Sequence, residues 1–204
     1  MPIGGIGQDF VVNSTVTVLQ SSSSITALAD GRFVVTWESG DSGDGSGTCI
    51  RGRIFEADGS AVGDDFIVNT TTVNNQWVPS VTALADGRFV VTWLSFDSAD
   101  GDIRGRVYNA DGSPDLTVNA GNDFRVNTET AGYQNAPSVT ALADGRFVVT
   151  WTSNDNGADF DIRGRVYNAD GSPAADDFRI NTETASDQTA ASVTALADGR
   201  FVVM

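Results

Sequence analysis

The sequence predicts an all-β, β-propeller-like repeat domain of four units with four antiparallel strands per blade, the fourth unit lacking its outer strand. Three observations carry this expectation. The stretch Ala27-Leu28-Ala29-Asp30-Gly31-Arg32-Phe33-Val34-Val35-Thr36-Trp37 returns at residues 83–93 and 141–151 and begins again at Ala195. A period of roughly 55 residues calls for a repeat architecture before any other reading. Each period holds short runs rich in β-branched and aromatic residues, bounded by turn residues, which favours strands. No segment shows a helical apolar period over the length of a helix.

The units divide at residues 8–63, 64–121, 122–175 and 176–204, each opening near an Asp-Phe pair. Strand a follows that pair, as in Phe10-Val11-Val12-Asn13 and Phe124-Arg125-Val126-Asn127. A polar connection leads to strand b, Ser138-Val139-Thr140-Ala141-Leu142-Ala143 in the third unit. Asp144-Gly145 then joins two strand-like runs, the strongest short-range hairpin signal. Strand c follows, with Phe147, Val149 and Trp151 on one face by period-two alternation and Val148 on the other. Two apolar faces suit a sheet covered on both sides. An acidic loop leads to strand d, Asp161-Ile162-Arg163-Gly164-Arg165-Val166-Tyr167, and Asp170-Gly171-Ser172 turns the chain toward the next unit.

Four short strands in up-down order, repeated, read most simply as propeller blades. A solenoid coil is usually roughly half this long, and an Ig-like sandwich would need two units per domain. Antiparallel order puts the a–b and c–d loops at one end of every blade and the Asp-Gly turn and the d-to-a crossover at the other. The long, variable loops therefore share a face, the expected binding face. In the fourth unit the sequence reaches strand c but not d, so Phe201, Val202 and Val203 are expected to present an open edge: either the sequence is cut from a longer array, or a neighbouring subunit lends a strand, or residues 1–7 fold back.

The formal net charge is −15, with no His, and all 12 cations are Arg. Such a surface repels nucleic acid and anionic membranes. No apolar run approaches the roughly 18 residues of a membrane helix, so membrane insertion is not expected. Without His, a Ser-His-Asp triad and His-bearing metal centres are excluded. The one cysteine, Cys49, rules out an intrachain disulfide. A carboxylate pair would still permit glycoside hydrolysis. No acid stands out from the repeating background, however, and the sequence predicts a chain that is not an enzyme.

The c–d loops carry Asp41, Asp44, Asp97, Asp100, Asp102, Asp155, Asp159 and Asp161. Closely spaced carboxylates with Gly are what calcium takes; solvated turns use the same residues. Trp37, Trp93 and Trp151 share one repeat position and read as packing between blades, with a sugar platform as the other reading. Trp77 and Tyr133 differ, because they fall in a–b loops where other units have polar residues; they are the first candidates for ligand contact, followed by Phe96 and Phe160 in the c–d loops. The pairs Arg51/Arg53, Arg104/Arg106 and Arg163/Arg165 flank a Gly on strand d and are expected to pair with Asp of neighbouring blades. Arg32, Arg88, Arg146 and Arg200 follow Asp-Gly turns and are expected only to solvate them.

Units of the form Phe-Arg-Val-Asn-Thr, Pro-Ser-Val-Thr-Ala-Leu-Ala-Asp-Gly-Arg-Phe-Val-Val-Thr-Trp and Asp-Ile-Arg-Gly-Arg-Val-Tyr-Asn-Ala-Asp-Gly-Ser, spanning residues 8–204, are similar to tandem repeats of large secreted or surface proteins of bacteria, many of adhesin-like or RTX-type architecture. The resemblance implies an extracellular or cell-surface setting and often calcium. The Gly-Gly-x-Gly-x-Asp nonapeptide of RTX proteins is missing here. Two functions compete: a non-catalytic adhesion module binding a carbohydrate or cell-surface partner through the a–b and c–d loop face, and a structural protein that assembles into homo-oligomeric rings or filaments through the open edge of the fourth unit.

Overall fold

The structure is a computed structural model that describes residues 9–41, 43–45, 47–154, 157 and 159–204. Among the described residues, fourteen strands form four antiparallel sheets. Sheet I contains β1 (Gln20–Ala27), β2 (Phe33–Ser39), β3 (Cys49–Phe55) and β4 (Phe66–Ile67). Sheet II contains β5 (Gln76–Ala83), β6 (Phe89–Ser95), β7 (Asp102–Tyr108) and β8 (Phe124–Arg125). Sheet III contains β9 (Gln134–Ala141), β10 (Phe147–Ser153), β11 (Asp161–Tyr167) and β12 (Phe178–Arg179); sheet IV contains only β13 (Val193–Ala195) and β14 (Phe201–Val203). No helix among the described residues is long and apolar enough to cross a membrane.

The sheets stand side by side in a propeller-like array, with β1, β5, β9 and β13 as neighbours along the inner row. A repeated seam joins that row: the Val81, Val139 and Val193 N–H groups donate to Ser24, Ser80 and Ser138 Oγ at 3.2, 3.2 and 3.3 Å.

Sheet composition corrects the expected strand order. Strand b is innermost, c and d follow, and the outermost strand is a of the next unit: β4, β8 and β12 pair with β3, β7 and β11. The reason is the connection. Asp58-Gly59-Ser60 closes a tight hairpin, with Glu56 N–H donating to Ser60 O at 2.8 Å and Gly59 at φ +86, whereas the a–b link is long enough to cross between sheets. The d–a connection is therefore the hairpin and a–b the crossover. Sheet IV correspondingly shows two strands, not the three expected of its unit, and residues 9–13 form no strand. The loop ends are unchanged by this shift, since a–b and c–d connections still meet at one end of every sheet.

Packing follows the two faces of each strand c. Leu28, Val34, Ile50, Ile54 and Val68 of sheet I bury against Val81, Phe89, Val91, Trp93 and Tyr108 of sheet II. The same pattern joins sheets II and III, where Trp151 and Tyr167 fill the cluster. Fully burying one such large apolar side chain stabilises by about 2–3 kcal/mol. Trp93 and Trp151 are thus core, as the packing reading expected, and each indole N–H donates to an inner-strand Gln: Gln76 Oε1 at 3.0 Å and Gln134 Oε1 at 2.9 Å.

Gly52 of the Arg-Gly-Arg motif has a steric cause. A Cβ there would stand 2.9 Å from the Phe66 ring of the outer strand. The flanking arginines tie strand d to its outer strand and, through Arg106 and Arg165, to the end of the preceding sheet. Arg51 and Arg163 donate to Asp65 and Asp177 at 2.8 and 2.7 Å. Arg53, Arg106 and Arg165 donate to the Val12, Val68 and Val126 carbonyls at 3.0, 2.7 and 2.9 Å. The expectation that the turn arginines only solvate is corrected: Arg32 also donates to Ala110 O at 2.9 Å and Arg88 to Asp115 Oδ2 at 2.6 Å and to Ala169 O, tying neighbouring turns.

Candidate functional site

The crossover and c–d loops gather at the end of the array where each inner strand begins. There the inner strands bulge. In sheet II the register shifts between Trp77 and Ser80, and Val78 takes φ +52. A β-branched residue in the left-handed region costs about 1–3 kcal/mol and persists only when its surroundings hold it. What holds it is Glu38 of sheet I, whose Oε1 accepts the Val78 N–H at 2.9 Å and whose Oε2 accepts Ser21 Oγ–H at 3.0 Å.

Next to this bulge three aromatic rings form one row. Trp77 lies edge-on to Phe96, with centroids 4.8 Å apart and planes at 71°. Phe96 in turn lies 6.0 Å from Tyr133 at 33°. All three residues are half-buried. The row crosses from sheet II to the start of sheet III. Phe96 is fixed by its backbone, with its N–H donating to Asn75 O at 3.0 Å and its carbonyl accepting Asn74 Nδ2–H at 2.9 Å. Gly101 beside Tyr133 takes φ +77, and a Cβ there would stand 3.0 Å from Leu94. Burial pushes the Tyr133 phenol up from its ordinary range.

Three of the four aromatic candidates are therefore brought together. Trp77 corrects one expectation, since it belongs to strand β5 and not to a loop. Phe160 is apart from the row; its N–H donates to Asp187 Oδ1 at 3.1 Å and its carbonyl accepts Gln188 N–H at 2.7 Å, which stitches the next crossover. Glu38 was missed in the sequence. Its repeat position holds Leu94 and Thr152 in the next sheets, so it is the singular acid that the sequence reading did not notice.

The acidic candidates are used otherwise. Asp41 takes Arg51 at 2.8 Å, and Asp97 takes Ser95 at 2.8 Å together with Arg104. Asp44, Asp102 and Asp161 each accept an Asn Nδ2–H at 2.7 Å, from Asn69, Asn127 and Asn181. Those asparagines complete a staple, since their Oδ1 atoms accept the Ile50, Ile103 and Ile162 N–H groups at 2.9, 2.8 and 2.7 Å. Among the described residues no three His, Cys, Asp or Glu side chains converge to hold a metal ion. Asp100 is exposed and Asp159 half-buried, and Asp155 lies outside the described residues. Phe201, Val202 and Val203 form β14, which pairs only with β13, so its other edge is open among the described residues.

No protein-family model matches the chain, and no curated protein matches it either. Solved structures do. A protein of unknown function from Dyadobacter fermentans shares the fold at TM-score 0.65 and 10% identity, over 95% of this chain and 63% of its own. An endo-arabinase from Bacteroides thetaiotaomicron matches at 0.56 and 14%, over 95% of this chain and 73% of its own. A Penicillium chrysogenum α-L-arabinanase complexed with arabinobiose matches at 0.54 and 14%, over 85% and 49%. This chain thus spans less than two thirds of the first of these structures. At such identities the likeness shows the fold alone. The expectation that the chain is not an enzyme, which rested on finding no catalytic feature, is corrected by this likeness: several of the matched structures that share the fold are glycoside hydrolases.

Proposed function

We propose that this chain binds carbohydrate on its loop face, with Trp77, Phe96 and Tyr133 as the stacking strip and Glu38 as the polar group at its end. The observation that carries this reading is the aromatic row itself: three half-buried rings in sequence, spaced 4.8 and 6.0 Å, bridging two sheets. Aromatic faces suit the apolar faces of sugar rings, and a row of them suits a chain of sugars better than a single one. The fold is shared with an endo-arabinase and with an arabinanase that holds arabinobiose, which supports oligosaccharides, arabinan among them, as the substrate class. The array is read as propeller blades, each completed by the outer strand of the following unit.

Calorimetric titration with arabino- and xylo-oligosaccharides tests the reading. Trp77→Ala and Tyr133→Ala are each expected to weaken binding about tenfold or more, while Phe178→Ala on the outer edge leaves it unchanged. Release of reducing ends in the same mixtures, with Glu38→Gln as the comparison, reports whether bound chains are cut. Equal affinity of Trp77→Ala and the parent protein for every oligosaccharide would remove the loop-face site.

A further inference from the structure

Each internal sheet-to-sheet interface is built from two complementary faces, and among the described residues the array leaves one of each uncovered. At the leading face, Val81, Val139 and Val193 are 6%, 7% and 8% exposed under the preceding sheet, whereas Ile25, their counterpart in sheet I, is 63% exposed. At the trailing face, Val34, Val90 and Val148 are fully buried by the following sheet, whereas Val202 is 40% exposed in sheet IV. The two ends therefore do not cover each other within the chain.

The space in front of sheet I is the place that a preceding sheet fills at the internal interfaces. A groove of about 250 Å³ lies there, lined by Val12, Gln20, Ser22, Val35 and Trp37 among others. Val12 and Asn13 form one of its walls. The Val12 carbonyl accepts Arg53 as Val68 and Val126 accept Arg106 and Arg165, so this segment occupies the place of a preceding sheet's outer strand. The inner strands of such a sheet are what the groove lacks. Sheet IV is a pair of inner strands, β13 and β14.

We propose that sheet IV of a second copy docks in front of sheet I, repeating the internal interface between chains and joining copies head to tail. The occupant follows from continuity with three interfaces already made in the chain. Val202 of the second copy would cover Ile25 and Val35, and the Ile25 N–H would donate to Ser192 Oγ of the second copy, continuing the seam that Ser24, Ser80 and Ser138 make. The contact is face to face, unlike strand addition at the open edge of β14. Because the two surfaces differ, the interface is heterologous and propagates until a ring closes or a filament grows. Each copy carries a net charge of −15, so association strengthens with added salt.

Light scattering on size-exclusion fractions of the full chain over a concentration series tests this. The expected result is a mass that rises above the 21.4 kDa of one chain and rises further in salt. Ile25→Arg and Val202→Arg, both at exposed positions, each weaken association about a hundredfold. Mixed together they form a dimer that stops, because each retains one intact face. Oxidative cross-linking of an Ile25→Cys copy to a Ser192→Cys copy is the second readout, with Ser24→Cys/Val81→Cys in one chain as the control for seam geometry. A parent protein that stays monomeric at ~200 µM in high salt overturns the proposal. So does a mixture of the arginine variants that shows no dimer, or a cysteine pair that fails to cross-link while the control pair does.

Discussion

Arg106 of sheet II donates to the Val68 carbonyl at the end of sheet I, 2.7 Å away, while its Nε donates to Gly121 O at 2.7 Å and its guanidinium lies 5.1 Å over the Tyr108 ring. One nearly buried cation thereby satisfies two backbone acceptors and ties two sheets. Arg106→Ala is expected to destabilise by about 2–4 kcal/mol, because both carbonyls lose a charged donor. Arg106→Lys recovers only part of this, lacking the planar fork. Denaturant unfolding measures both, and a loss under ~0.5 kcal/mol for the alanine variant would contradict the bridging role.

Equivalent tryptophans should respond unequally. Trp93 donates to the fully buried Gln76, but the Trp37 N–H and the Gln20 Oε1 of sheet I have no partner among the described residues. Trp93→Phe therefore strands the Gln76 oxygen and is expected to cost at least ~1 kcal/mol more than Trp37→Phe. Paired melting curves decide this; equal losses would refute it.

Acid should loosen the array. Burial pushes the Asp97 carboxyl up, but hydrogen bonds from Arg104 and Ser95 outweigh it and hold it below 3.8. Asp65 is likewise raised by burial and brought lower by Ser14 and Arg51. A carboxylate depressed on folding stabilises above its unfolded value and loses that contribution as pH falls through the folded one. The melting temperature is expected to hold from pH 7 to about 5 and to drop below about 4. Asp97→Asn should shallow the drop; an unchanged slope would show that this pair does not contribute.

The Cys49 thiol is pushed up to about 12, first by burial and then by its hydrogen bond to Asp41. Only the thiolate is nucleophilic. Native protein at pH 8 is expected to leave a thiol reagent unconsumed over hours, with one equivalent consumed once denaturant is added. Rapid native labelling would show that sheet I opens at β3.

Much of the fold was legible because its signals are local. Asp30-Gly31 and its copies fix the b–c hairpins, and the alternation Phe147, Val149, Trp151 against Val148 fixes two buried faces. The ownership of the outer strand was legible too, in the Asp-Gly-Ser turn after each strand d, but repeats have no natural starting point and the Asp-Phe pair drew the boundary one strand too early. At the site, Trp77 and Tyr133 were visible as departures from the repeat. Their meeting through Phe96 was not, because it depends on a bulge that no residue type announces. Glu38 was hidden for the opposite reason: in a chain this acidic, one more carboxylate draws notice only when its repeat position is compared across copies.

The outer strand borrowed from the following copy changes where the chain tolerates cutting. A truncation or graft made at an Asp-Phe boundary, such as before Asp65, strips β4 from sheet I and bares the backbone of β3. One made in the crossover, around residues 70–74, leaves that sheet with all its strands. Modular redesign of this chain should take its junctions there.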